Sequence, residues 1–280
     1  MSALPKDELG RRLALACSVA REAGAFARNA FLSRETLQIE TKGEQDWVTN
    51  VDLEVEALIR SRLAEDYPED PVIGEEMEGN AGDDGCAWVV DPIDGTTCFL
   101  LGLPQWCVAL CYVVGGRPVV GVVYAPMTEE LFSAASGHGT FLNGIPVHIS
   151  GSASIRDGLI AVGINSGAHP ERSAAFILDL VKGGGMYLRV GACALALAYV
   201  AAGRLLAAFE PLVSPWDDLA GMLLVREAGG RTNEFAPGIG TEKRAVLACV
   251  PPLWDELSIL MKPVDAQHET VPCQDGTAPS

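Results

Sequence analysis

The sequence predicts a mixed α/β (α+β) fold, and three observations predict it. An alanine-rich amphipathic segment opens the chain, short β-like runs with glycine turns fill the rest of the first half, and helix alternates with strand after about Ser150. The 280 residues suit one large domain or two small ones, on a prior of about 150 residues per domain. Two α/β halves, 1–150 and 151–263, are therefore expected. The polar, patternless stretch beyond Pro263 (264–280) is expected to be a mobile tail.

The elements follow in order. Lys6 to about Phe31 places Leu9, Leu13, Ala16, Ala20, Ala23 and Ala27 on one helical face. Thr49 or Asn50 can cap a second helix to about Glu65, with Leu53, Ala57, Leu58 and Leu63 expected to face inward. Ala87–Val90, Val108–Val114 and Val119–Tyr124 are expected strands, mainly antiparallel. Gly115-Gly116 and Asn143-Gly144 supply hairpin turns. In the second half, helices are expected over Ser173–Lys182, Ala192–Ala202 and Pro215–Ala228. Each stops at glycine: Gly183-Gly184-Gly185, Gly203 and Gly229-Gly230.

Apolar residues make up 49% and charged residues 20%, which is globular composition. The net charge of −17 argues against a phosphate-coating nucleic-acid binder and against adhesion to anionic lipid. The longest apolar run, Ala192–Ala202, is far short of the roughly 20 residues that cross a bilayer, and the N-terminus lacks a signal-peptide core. Eight cysteines lie mostly within apolar runs without CxxC spacing. Buried thiols in a reducing cytoplasm are expected, and no zinc site.

The segment Trp88-Val-Val-Asp91-Pro-Ile-Asp94-Gly95-Thr96-Thr97 carries the chemistry. An apolar strand runs into two carboxylates three residues apart, then a glycine and two hydroxyls. Such a turn offers carboxylate and carbonyl oxygens together, the ligands that magnesium prefers. An Asp-Pro turn alone would mean only a solvated acid, but the whole run after a buried strand is far more specific. Gly74-Glu75-Glu76 after Pro71-Val72-Ile73 is by itself a solvated turn. Asp217 and Asp218 after Ser214 are by themselves helix caps.

Taken together, these residues resemble the inositol monophosphatase family of magnesium-dependent, lithium-sensitive phosphatases. Asp91-Pro-Ile-Asp94-Gly95-Thr96-Thr97-x-Phe99, with Gly102-x-Pro104, is similar to its first signature. Trp216-Asp217, Ala220-Gly221 and Glu227-Ala228-Gly229-Gly230 are similar to its second. Val48-Thr49-x-x-Asp52 and Gly74-Glu75-Glu76 match its upstream elements, and the resemblance spans about Leu9 to Pro251.

The resemblance implies a layered α/β/α/β/α sugar-phosphatase fold, a homodimer, and two to three Mg²⁺ per site. Glu75, Asp91 and the Ile93 carbonyl would hold the first ion. Asp91, Asp94 and Asp217 would hold the second, and a weaker third would also touch Glu75. Thr96 would orient the attacking water, aided by Glu75 and backed by Asp52, which also completes a capping box with Thr49. Phosphate would meet the metals and the N–H groups of Gly95, Thr96 and Thr97, where a helix opening adds donors. Asp94, Gly191, Ala192, Glu210 and Asp217 would contact the rest of the substrate. Clustered carboxylates repel unless cations neutralise them, and the same cations let an acidic pocket accept an anionic ester.

Departures from the family pattern gather on the substrate side. Ala192 stands where Ser or Thr is usual, removing one possible hydrogen bond worth ~0.5–1.5 kcal/mol. Leu206 replaces an acid in the Gly203-Arg204 run, and Cys98 stands where Asn is usual. Lys42 is equally an outer-metal lysine or an exposed loop residue. Cys107 and Cys111 are core thiols by pattern, and His138 and His169 carry no assignment. The expected function is a Mg²⁺-dependent phosphomonoesterase for a small polyol or sugar phosphate, inositol 1-phosphate first. Histidinol phosphate, fructose 1,6-bisphosphate and 3′-phosphoadenosine 5′-phosphate are alternative substrates. A metal-bound interaction protein with vestigial activity is the alternative of another class.

Overall fold

The structure, a computed structural model, describes residues 4–33, 39–43, 46–82, 85–164, 170–235, 239 and 242–261, with the backbone alone over 39–43 and 46–48. The first half runs α1 (Lys6–Ser33), β1 (Ile39–Gly43), β2 (Asp46–Thr49), α2 (Asn50–Asp66), β3 (Val72–Gly74), β4 (Ala87–Asp94) and α3 (Thr96–Leu101). It continues with β5 (Cys107–Val114), β6 (Arg117–Ala125), β7 (Glu130–Ala135), β8 (Thr140–Leu142) and β9 (Ile145–Val147). The second half runs β10 (Leu159–Val162), α4 (Pro170–Lys182), β11 (Met186–Leu188), α5 (Cys193–Ala201), β12 (Ala207–Val213) and α6 (Pro215–Glu227). β13 (Arg231–Thr232), β14 (Arg244–Cys249) and α7 (Trp254–Leu260) close it.

Two sheets organise the core. A seven-stranded sheet has the order β3-β4-β5-β6-β7-β8-β9, antiparallel except where β3 runs parallel to β4. A five-stranded mixed sheet has the order β11-β10-β12-β14-β13. α1 and α2 cover the outer face of the first sheet, where Ala16, Ala20, Ala23 and Ala27 sit among Trp88, Leu110, Val122 and Tyr124. Their small size lets α1 lie close: a Cβ on Gly24 would fall 2.5 Å from the Tyr124 ring. α5 and α6 fill the space between the sheets, with Leu197, Met222 and Leu224 at the centre. α4 and α7 cover the far face of the second sheet, where the Phe176 and Phe209 rings stack at 4.5 Å. The layers are thus α/β/α/β/α, as the resemblance implies.

Two expectations need correction. Leu63 is buried and Leu58 half-buried against the core, as expected, but Leu53 and Ala57 lie on the exposed face of α2. Its buried residues are Val51, Asp52, Val55, Glu56, Ile59 and Leu63, while Leu53 is 46% exposed. Two acids occupy the buried stripe, so counting apolar residues finds the wrong phase of the helix. The strand expected over Ala87–Val90 also does not end before Asp91. β4 continues to Asp94 across a register irregularity between Asp91 and Asp94 on β5. A bulge there tolerates Pro92, which has no N–H for the ladder.

The other elements stand within a few residues of expectation, and both hairpin turns are present. The cysteines at 98, 107, 111, 193 and 249 are buried free thiols, and Cys17 and Cys86 are half-buried ones. Cys273 and the expected tail lie outside the described residues. Among the described residues, no helix is long and apolar enough to cross a membrane.

Candidate metal centre

Acidic side chains from distant parts of the chain meet at one end of the seven-stranded sheet. The parallel register of β3 on β4, Gly74 opposite Val90, carries the chain directly into Glu75 beside Asp91. Asp217 arrives on the first turn of α6. Carboxylate oxygens of Glu75, Asp91 and Asp217 lie within 4.8 Å of one another. Asp91 is 1% exposed, and one of its oxygens accepts the Ile93 N–H at 3.0 Å.

Burial and then the charges of Glu75, Asp94, Asp217 and Asp52 push the Asp91 carboxyl well above the usual carboxylate range. Burial, with Asp94 and Asp218 adding to it, pushes Asp217 up to about 7 against the opposing Ser214 N–H and Lys243. So much like charge in a buried pocket is stable only if protonated or met by cations. The converging donors are all carboxylate oxygens. Such a hard, anionic set fits Mg²⁺ and offers nothing to a thiophilic metal.

Asp217 fills the capping role as well. Its Oδ2 accepts the Ser214 N–H at 2.7 Å, and the same carboxylate joins the cluster. Asp218, also expected as a cap, instead pairs with Arg244 through both oxygens, at 2.9 and 2.8 Å. Burial raises Asp218 to about 7 in spite of that arginine.

Asp94 is placed differently. Its Oδ1 accepts the Cys193 N–H at 3.0 Å and its Oδ2 the Ala194 N–H at 2.7 Å, both at the start of α5. The Cys107 thiol adds a contact at 3.4 Å. Burial raises Asp94 to about 6, opposed by these amides and the thiol. Cys107 is therefore a core thiol that also touches the acidic site.

Thr96, half-buried, donates from Oγ1 to the Ile93 carbonyl at 3.1 Å. Asp52, fully buried, accepts the Thr49 N–H at 2.8 Å and the Thr49 hydroxyl, completing the expected capping box of α2. Its charge is felt at Asp91. Gly95 has φ +93°, and a Cβ there would meet the Gln105 carbonyl at 2.9 Å, the Ala192 methyl at 3.0 Å and the Gly191 carbonyl at 3.2 Å. The Gly95–Thr97 turn and the Gly191–Ala192 turn are thus pressed together. Gly191, at φ +95°, lies against the Cys98 sulfur. Glu210 on β12 completes the acidic wall. Burial, then Asp94 and Asp217, raises it to about 8, with Arg189 opposing.

Sequence reasoning missed two residues that shape this site. Glu56 is fully buried and accepts the Glu76 N–H at 2.8 Å, the Met77 N–H at 3.2 Å and the Arg60 guanidinium at 2.8 Å. It clamps the turn that carries Glu75, and a Cβ on Gly74 would fall 2.1 Å from its carboxylate. The available signal is its spacing: Asp52 and Glu56 are four apart on the stripe set by Val51, Val55 and Ile59. Arg189, the second, stands near both Glu210 and Cys98. His138 is an exposed turn residue whose Nδ1 faces the Ser136 carbonyl. His169 and the Lys42 side chain lie outside the described residues.

Comparison with known proteins follows the same lines. The model of the inositol monophosphatase family matches residues 8–266. "Nus factor SuhB" of Salmonella typhimurium is 37% identical over 262 residues, covering 89% of this chain and 98% of its own. The solved extragenic suppressor protein suhB of Bartonella henselae superposes with a TM-score of 0.84 at 31% identity, covering 91% of this chain and 99% of its own. The IMPase of Thermotoga maritima superposes with a TM-score of 0.80 at 29% identity, over 90% and 96%.

Proposed function

Because the chain belongs to the inositol monophosphatase family, we propose that it is a Mg²⁺-dependent phosphomonoesterase acting on a small polyol or sugar phosphate, with inositol 1-phosphate the first substrate to try. The observation that carries this reading is the convergence of Glu75, Asp91 and Asp217 within 4.8 Å, with Asp91 buried and the other two half-buried. Glu75, Asp91, Asp94, Asp217 and the Ile93 carbonyl would hold the ions. When bound, they supply polarisation of the phosphoryl oxygens and a lower pKa for the attacking water.

The chain's own groups do the rest. The Thr96 hydroxyl donates its hydrogen bond to the Ile93 carbonyl, so its oxygen lone pairs are left to accept from a water and fix its orientation. Glu75 can accept that water's second hydrogen. The amides of Gly95, Thr96 and Thr97, opening α3, would hold phosphate oxygens in place. The water oxygen forms the new P–O bond as the ester P–O bond breaks, and the proton that the attacking water gives up is matched by the one that the leaving alkoxide takes from solvent. Gly191, Ala192 and Glu210 face the leaving group. Positioning and charge compensation supply most of the rate in such transfers.

A phosphate-release panel with and without Mg²⁺ tests this. It includes inositol 1-phosphate, histidinol phosphate, fructose 1,6-bisphosphate and 3′-phosphoadenosine 5′-phosphate, compared by kcat/KM. Release that requires Mg²⁺ and favours the polyol ester is expected. No release from any ester at saturating Mg²⁺ would overturn the reading. That result would favour the second one, an interaction protein with vestigial activity, in keeping with the name Nus factor that relatives at 36–37% identity carry.

Lithium inhibition, a cytoplasmic location, a homodimer and folding as two α/β halves are part of the same proposal. Supporting a second copy, the edge strand β11 exposes Met186, Tyr187 and Leu188, at 66%, 50% and 41%. Sedimentation at micromolar protein should give twice the chain mass, and a monomer would dismiss the dimer.

A further inference from the structure

The first amides of a helix need acceptors, and the residue before the helix ordinarily provides one through a side-chain oxygen. α5 has Ala192 in that position, so no side-chain cap is made. Its first two amides, Cys193 and Ala194, are instead taken by the two oxygens of Asp94, about a hundred residues away in the chain. Asp94 stands at the end of β4 in the seven-stranded sheet, while α5 belongs to the second half.

We infer that Asp94 is the N-terminal cap of α5 and that Ala192, by offering no hydroxyl of its own, makes this cap across the two halves obligatory. The contact does two things. It ties the Gly191–Ala192 turn to Gly95, where a Cβ would fall 3.2 Å from the Gly191 carbonyl. It also fixes the direction of the Asp94 carboxylate, so that α5 positions an acid of the site. A serine at 192 would compete for the Ala194 amide, the second of the helix, which a capping hydroxyl typically reaches. The positioning part rests on the proposed metal-binding role of Asp94, and the capping part does not.

Thermal unfolding in EDTA separates the two. Removing one acid from the crowded cluster should relieve its neighbours and stabilise the metal-free protein, so Asp91→Asn raises Tm. Asp94→Asn should instead lower it, by roughly 2–4 °C, because an amide group would set N–H against N–H at the helix start. Ala192→Ser should change Tm little by itself and recover most of the loss in the Asp94→Asn background, since it brings its own cap. A rise in Tm for Asp94→Asn, or the same serine effect in both backgrounds, would overturn the cap.

If Asp94→Asn does not fold, Ala192→Ser alone still decides by Mg²⁺ titration calorimetry. Loosening Asp94 should weaken binding by about tenfold, the cost of losing an outer partner of a metal ligand. Unchanged affinity in a protein that does bind Mg²⁺ would overturn the positioning role. Absence of Mg²⁺ binding in the natural protein would count against the metal site itself, and the cap would then stand or fall on the Tm cycle.

Discussion

Glu56 shows how a side chain without chemistry of its own can set the chemistry of another. Its carboxylate holds two amides of the turn after β3 and the Arg60 guanidinium, and so fixes Glu75. Glu56→Gln should weaken Mg²⁺ binding by about tenfold, read by calorimetry, because outer partners of ligands are typically worth that much. Unaltered affinity would remove Glu56 from the site. Asp91→Asn should abolish phosphate release while leaving the fold intact by circular dichroism, and full turnover would dismiss the centre. Asp91, Asp94 and Thr96 were legible because they share one short motif. Glu75 and Asp217 were legible only through family resemblance, since each has a sufficient local explanation as a turn or a cap. The structure keeps the cap of Asp217 and adds the cluster. Glu56 was missed because its amide partners lie about twenty residues downstream in a turn that the sequence does not place, and only its spacing from Asp52 pointed to it.

At the scale of elements, local periodicity served well wherever the buried stripe is apolar. α1 is found with its alanine face inward, and the Gly115-Gly116 and Asn143-Gly144 hairpins are formed. α2 defeats the same method because Asp52 and Glu56 lie on its buried face, each satisfied by specific partners. β7 escaped notice because Glu130–Ala135 is short and follows a Pro-Met-Thr turn with little β-branching. Its loop to β8 is nonetheless well fixed. Glu227 at the end of α6 accepts the amides of Gly137, His138 and Gly139 at 2.9, 3.1 and 2.9 Å. Glu227→Ala should cost roughly 1–3 kcal/mol in urea unfolding, the range for charge-assisted bonds, without changing Mg²⁺ affinity. A loss of affinity would mean that this turn communicates with the metal centre.

Across the whole molecule, the layering could not be read from periodicity, since nothing local says that α5 and α6 lie between two sheets. Only the resemblance carried that topology. The assembled fold has a cost that the metal-free protein must bear. Asp94, Asp217 and Glu210 sit at about 6, 7 and 8, above ordinary carboxylates, so between pH 4 and 8 the folded chain holds protons that the unfolded chain has released. Their contribution to stability is therefore full below about pH 4 and is lost as pH rises through 6 to 8. In EDTA, Tm should fall over that interval. Saturating Mg²⁺, which replaces the protons, should remove most of the fall, and identical curves with and without Mg²⁺ would contradict it. The most direct measurement is an anomalous-scattering map from crystals soaked in Mn²⁺, a stand-in for Mg²⁺ with oxygen ligands. A peak enclosed by the carboxylates of Glu75, Asp91 and Asp217 is the predicted result. A map with no peak there at saturating Mn²⁺ would contradict the account.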